Sequence, residues 1–275
     1  MRRVRLGRLH ADAVDFTEAL DAIEDLTDSG GGFVVTPNVD HLVRAEMNPW
    51  LRRAYGDAAL SLADGTPLLW LARLAGTSLP AKVSGSDLIR PLMRRAAQNQ
   101  WRVYFLGSAP ETAARAREVL TAEIPGLHIV GTDSPPMGFE RDPMLLCATL
   151  RRMCEAKANV ILVALGCPKQ EILMQRWRWR VAPAVMVGIG AGLDFIAGHK
   201  RRAPAWMARV GLEWLHRLLQ EPRRLAGRYL VRDLGIIPIA LRTLWQRIAG
   251  GRLRQRARPR LHTGLTTTVR MEERG

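Results

Sequence analysis

Five short runs of apolar residues punctuate positions 1–198, and each is too brief to be a helix of its own. They are Phe33–Thr36, Val103–Leu106, Ile129–Val130, Val160–Leu165 and Val185–Ile189. Runs of that length without polar alternation fit strands covered on both faces, as in a parallel sheet. Between them the period changes. Phe16, Leu20, Ile23 and Leu26 recur at three- and four-residue spacing, and looser helical patterns span 109–120 and 145–156. Strand alternating with helix predicts an α/β fold with a mostly parallel sheet flanked by helices. Several runs end directly in turn residues: Thr36-Pro37-Asn38, Gly107-Ser108-Ala109-Pro110 and Gly166-Cys167-Pro168-Lys169. That edge, the carboxyl ends of parallel strands, is where α/β proteins usually bind ligands.

After position 198 the texture changes. Residues 1–198 carry 23 Lys or Arg against 21 Asp or Glu, whereas residues 199–275 carry 18 against 5. Nearly all of the net +15 therefore sits in the last quarter of the chain. Such a segment is drawn to phosphates or anionic lipid, and salt weakens the attraction. Ala203-Pro204 opens a predicted helix, with Trp206, Met207, Val210, Trp214, Leu215, Leu218 and Leu219 along one face. Glu221-Pro222 interrupts it, and further helices are predicted over 225–237 and 239–248. From Gly250 onward there is little to bury. The chain thus divides into an α/β body at 1–198, a basic helical appendage at 199–248 and a basic, disordered tail at 249–275.

Composition narrows the class further. A 47% hydrophobic content excludes a disordered or fibrous chain. Cys147, Cys154 and Cys167 have neither the even count nor the spacing of a disulfide framework or zinc knuckle, which fits a reducing compartment. The basic N-terminus lacks the apolar stretch of a signal peptide. No run approaches the roughly 18 apolar residues of a membrane span. The nearest, Leu234–Leu241, is short and contains Pro238.

The site candidates cluster at the turn-rich edge. In TPNVDH, Thr36 and Asn38 directly follow a strand and can hydrogen-bond a polar ligand such as a sugar or base; alternatively Asn38 caps a helix whose first turn holds Asp40. Asp64 follows the apolar LSLA and precedes Gly65-Thr66-Pro67. It reads either as a general base at a strand exit or as a helix cap. In KVSGSD, Gly85 permits close backbone approach, and Lys82 and Ser84 suit a phosphate. GCPKQE offers Lys169 and Gln170 to a nucleotide or diphosphate at a helix N-terminus, while Cys167 has no histidine companion for nucleophilic work. The glycine run Gly188–Gly192 comes too late for a first βαβ unit and does not complete GxGxxG. Close backbone packing with a ligand over Gly190 and near Asp194 accounts for it better. No HExxH, Walker A, GxSxG or strand-end DxD is present, so neither a metal nor a cofactor is expected.

Taken in order, TPNVDH (36–41), ADGTPL (63–68), KVSGSDL (82–88), YFLGSAPE (104–111), GTDSPPMGF (131–139), LVALGCPKQE (162–171), VGIGAGLDFIAGHKRRAP (187–204) and GLEWLHRLLQEPRRLAGRYL (211–230) form a specific set. Over roughly residues 10–232 the chain resembles the WecG/TagA/CpsF family of bacterial glycosyltransferases. The resemblance implies a Rossmann-like body with a helical C-terminal appendage that associates with membrane and helps complete the active site. It implies inverting transfer of a hexose or N-acetylhexosamine from a UDP-sugar to a polyprenyl-diphosphate-linked sugar, for surface polysaccharides, without a metal. It also implies a cytoplasmic protein held peripherally on the anionic inner face of the cell membrane, and leaves a homo-oligomer open. On the family's pattern Asp64 is the base, and Thr36, Asn38 and Gln170 line the donor or acceptor pocket. Lys82 stands where the family usually has Arg, which keeps the charge but loses the bidentate fork. Arg217, Arg224 and Arg228 match the appendage arginines.

Two other classes fit less well. A nucleic-acid binder would suit the net charge, but the body is nearly neutral and carries no such motif, so no nucleic-acid partner is expected. A dinucleotide-dependent oxidoreductase would need its glycine run at the first strand.

Overall fold

Successive side chains of a strand point to opposite faces of its sheet, and here they sort into two separate cores. The computed structural model describes residues 1–204, 206–207 and 211–256, without the side chains of Arg224 and of residues 250–256. Strands β1 (Arg3–Leu6) and β2 (Leu9–Asp12) pair as an antiparallel hairpin. Strands β3 (Gly32–Val35), β4 (Leu60–Ser61), β5 (Arg102–Gly107), β6 (His128–Asp133), β7 (Val160–Ala164) and β8 (Val185–Gly188) form a six-stranded sheet in the order β4-β3-β8-β7-β5-β6. Every pairing in it is parallel.

Val34, Val103, Phe105, Val160, Leu162, Val185 and Val187 enter one core, and Phe33, Val35, Tyr104, Leu106, Ile161, Val163 and Met186 the other. The first core is closed by α1 (Phe16–Asp28), α5 (Gly85–Gln98), α6 (Pro110–Glu123) and α9 (Gly192–Ile196). The second is closed by α2 (Val39–Met47), α3 (Pro49–Asp57), α4 (Thr66–Leu74), α7 (Pro143–Glu155) and α8 (Lys169–Trp177), with the hairpin. Two apolar faces explain why the strands read as unbroken apolar runs. All five predicted strands are present, Ile129–Val130 being extended to His128–Asp133.

The hairpin was not legible in the basic N-terminus. It turns at Gly7, whose φ of +60° favours glycine. Asp12 fastens it to the sheet by accepting the Ser61 N–H at 2.8 Å, and Arg3 pairs with Asp12 at 3.2 Å.

Beyond α9 the chain forms α10 (Glu213–Gln220), α11 (Pro222–Gly227), a π-helical turn (Arg228–Arg232), a 3-10 turn (Asp233–Gly235) and α12 (Ile236–Arg256). The helix expected to run from Ala203-Pro204 through Leu219 is not continuous. Arg201–Pro204 are irregular, and Gly211 at φ +77° has a left-handed backbone that no helix interior accepts. Val210 of the expected apolar face lies outside the described residues, as does the tail from 257 onward. α12 runs across the boundary expected at 248, and Pro238 falls in its first turn, where no hydrogen bond is lost. One side of α12 seats on the body: Ile239 is buried beside Gly7, and Arg242 pairs with Glu46 at 2.7 Å. Its other side leaves Ile237, Leu241, Leu244, Trp245 and Ile248 exposed at helical spacing. Among the described residues no helix is long and apolar enough to cross a membrane.

Candidate active site

Asp64 leaves β4 under tight backbone control. Leu62 N–H donates to Val35 O and Asp64 N–H to Pro37 O, each at 2.8 Å, while Val83 N–H donates to Ala63 O at 2.9 Å. The residue is thereby held between the TPN loop and the loop that opens α5. Gly65, at φ +109°, occupies the N-cap of α4, and no side chain caps that helix. The capping alternative for Asp64 is therefore not realised. Among the described residues its half-buried carboxylate makes no hydrogen bond. Burial pushes Asp64 up to about 6, against the pull of Arg217 and Lys82, with Asp87 and Glu213 adding to the rise. A carboxylate tuned close to neutrality and left without a partner is suited to receive a proton.

The cleft above it is built by body and appendage together, from Asp64, Ser84, Asp87, Arg202, Glu213 and Arg217 among others. Ser84 caps α5 by accepting the Asp87 N–H at 3.2 Å and shares a hydrogen bond with the Ser86 hydroxyl. Arg202 pairs with Asp87 and donates to Ser86 O at 2.9 Å. Phe195 supports the guanidinium of Arg217 at 5.2 Å and that of Arg202 at 5.9 Å. Lys82 donates to both oxygens of Glu213, at 3.0 and 2.9 Å. Lys200 sits 3.7 Å from Asp194 and 3.1 Å from Glu221, tying α9 to the appendage.

Thr36 lies at the end of β3, and its hydroxyl donates to Gly188 O at 3.1 Å. Gly85 must be glycine, because a Cβ there would stand 2.9 Å from Gly188 O. Asn38 caps α2 by accepting the His41 N–H at 3.3 Å, and the same oxygen accepts from Arg228 Nη2 at 3.3 Å. The capping half of the Asn38 alternative is thus realised, with an appendage arginine added to it. Arg228 and Arg232 also face Asp40 at 3.9 and 3.1 Å. Burial pushes Asp40 up, but Arg228, Arg44 and Arg232 together hold its carboxyl below the ordinary value.

Gln170 is buried, accepting the Gly166 N–H at 3.3 Å and donating to Glu171 at 2.8 Å. Lys169 pairs with Glu140 at 3.2 Å. Neither lines the cleft. Gly190, at φ +52°, has open space beside its α-carbon. The structure therefore gathers Asp64, Ser84 and Arg217 on one cleft, with Lys82 joined to it through Glu213; it leaves Thr36, Asn38 and Gly190 on flanking loops, Gly85 and Asp194 in α5 and α9, and Lys169 and Gln170 at the start of α8. The side chain of Arg224 lies outside the described residues.

Sequence reasoning missed Glu213, Asp87, Arg201 and Arg202 as cleft residues. Glu213 carried a usable signal, an acid one helical turn before Arg217 inside the GLEW segment. The Arg202–Asp87 pairing joins positions 115 apart and left no local trace. For a cation, the described residues offer His41, Cys167 and Glu171, whose ligand atoms all lie within 4.8 Å of one another. His41 Nδ1 is already bonded to the Tyr55 hydroxyl at 2.7 Å. Burial lowers the His41 pKa and raises the Cys167 thiol far above its ordinary range, so both rest in neutral form.

Residues 4–250 match the Glycosyl transferase WecG/TagA/CpsF family. The chain is also 31% identical over 199 residues to the N-acetylglucosaminyldiphosphoundecaprenol N-acetyl-beta-D-mannosaminyltransferase of Bacillus spizizenii, covering 72% of this chain and 75% of that protein. The family match reaches from the hairpin, through both walls of the cleft, to the long terminal helix, and on that extent the chain belongs to the WecG/TagA/CpsF family of glycosyl transferases.

Proposed function

We propose that this glycosyltransferase moves a hexose or N-acetylhexosamine from a UDP-sugar onto a polyprenyl-diphosphate-linked sugar, by a single inverting displacement with Asp64 as base. The observation that carries the reading is Asp64 itself: an unpaired carboxylate pushed up to about 6 at the foot of a cleft walled by Arg201, Arg202 and Arg217. In the step, Asp64 takes the proton of the acceptor hydroxyl as that oxygen bonds to the anomeric carbon of the donor. The bond from that carbon to the β-phosphate oxygen breaks, and its electron pair leaves on UDP. Cleft arginines stabilise the charge gathering on the diphosphate. The name of the Bacillus spizizenii relative, which specifies a diphosphoundecaprenol acceptor, supports a lipid-linked acceptor here.

A lipid acceptor needs a protein surface that meets the bilayer. The exposed side of α12, continued by Leu230, Val231 and Leu234, supports such a surface, and Trp206 adds to it. With the net +13 after residue 198, this favours peripheral attachment of the 199–248 appendage to an anionic inner membrane face. Assaying UDP-, GDP- and CMP-sugars against a polyprenyl-diphosphate-linked acceptor, and reading the anomer of the product, tests the reading. Transfer from UDP-sugars with inversion is expected. Turnover with GDP- or CMP-sugars alone, or retention at the anomeric carbon, overturns it.

A further inference from the structure

Glu213 opens α10 one turn before Arg217 and reaches across the cleft into the body. Both of its oxygens accept from Lys82 Nζ. Lys82 is also close enough to Asp64 to draw that carboxyl down. A lysine ammonium is a mobile point charge on a flexible stem. Left free beside a desolvated carboxylate, it would pair with it, and an opposite charge at ~4–6 Å lowers a carboxyl pKa by about 1–3. The pair that forms is nevertheless Lys82 with Glu213, and Asp64 stays without a hydrogen bond among the described residues.

Of the neighbouring cations, Arg217 and Lys82 are the two that draw the Asp64 carboxyl down. Asp87 and Lys82 come from α5 and the loop before it, Arg201 and Arg202 from the stretch after α9, and Glu213 and Arg217 from α10. Arg202 is committed to Asp87, and Arg217 lies over Phe195. We propose that Glu213 is a positioning residue that clamps Lys82 away from Asp64, so that docking of the appendage leaves the body's base unpaired and ready for its proton. The inference rests on Asp64 being the base. It gives the appendage a direct part in the proton transfer, since the clamp exists only while α10 sits on the body.

The test uses the full chain and the pH profile of kcat/KM between pH 5 and 8, which reports the ionisations of the free enzyme, with kcat and the donor KM recorded at each point. In the wild type the acid limb should lie near 6, where Asp64 titrates. Glu213→Gln releases Lys82 and removes a negative charge, so the limb should move down by about one pH unit. The weaker base should lower plateau kcat by about threefold with little change in donor KM. Lys82→Met in the same chain should return the limb toward 6, and Glu213→Asp, which keeps the clamp's charge, should hold it near the wild-type position. A residue that only supported the fold would lower kcat without moving the limb. A Glu213→Gln limb at the wild-type position, or a shift that persists when Lys82 is also replaced, overturns the proposal. Asp233 is likewise pushed up to about 6 by burial, but it faces Arg228 and Asp40. Loss of the limb in Asp233→Asn would assign it there and overturn the proposal as well. Asp64→Asn separates the two levels: near-normal turnover removes the base reading, whereas a dead variant beside an unmoved Glu213→Gln limb removes this inference alone.

Discussion

Replacing Asp64 with Asn keeps the shape of the side chain and removes a charge that folding draws out of water. The carboxyl moves from its ordinary 3.8 to about 6. At about 1.36 kcal/mol per pH unit that difference corresponds to about 3 kcal/mol against the charged form. Because the folded value lies above the unfolded one, the proton favours the fold. The penalty is therefore absent below pH ~4, grows as pH rises toward the folded value, and is complete above about 6. Solvent reaches part of the side chain, which trims the effect to about 1–3 kcal/mol. Urea denaturation of wild type and Asp64→Asn from pH 4 to 8 measures it. The two should coincide at pH 4, and the variant should be the more stable at pH 7.5. A variant that is less stable at pH 7.5, or a difference that ignores pH, would mean that Asp64 has a structural partner and is no desolvated base.

Thr36→Val removes the only donor that the described structure gives Gly188 O, and should cost ~1–3 kcal/mol by thermal melting; unchanged stability would show that water satisfies that carbonyl. Arg228→Ala takes a partner from both Asn38 and Asp40, so it should raise the acceptor KM and lower stability by about 1 kcal/mol or more, whereas wild-type kinetics would detach Arg228 from the site. A chain ending at Gly198 should neither sediment with anionic liposomes nor use the lipid-linked acceptor, since it lacks α10 to α12. A chain ending at Gly250 should lose binding chiefly at higher salt. Retained sedimentation and activity in the shorter chain would exclude 199–248 as the membrane-facing part.

The sheet was legible because burial on both faces writes a strand as an unbroken apolar run, and Phe33–Val35 or Val160–Ala164 can be little else. Asp64 was legible for a related reason, an acid placed straight after such a run. What stayed hidden was long-range. The Lys82–Glu213 clamp joins positions 131 apart, and neither residue looks unusual in its own segment. The hairpin was hidden because four residues of alternation, Arg3 to Leu6, carry too little signal beside four arginines in the first eight positions. The break before α10 turns on the backbone of Gly211, and a glycine near the middle of a helical pattern does not by itself announce a stop. The motif around Gln170 was legible, but the hydrogen bonds of its side chain with Gly166 and Glu171 were not.

The account turns on Asp64 as the base of sugar transfer. Its most direct test is the rate of transfer from a UDP-sugar to a polyprenyl-diphosphate-linked acceptor by wild type and Asp64→Asn, with UDP affinity measured on both. The rate should fall by ~10²–10⁴-fold while UDP affinity stays within a few-fold. Near-normal transfer by Asp64→Asn would contradict the account.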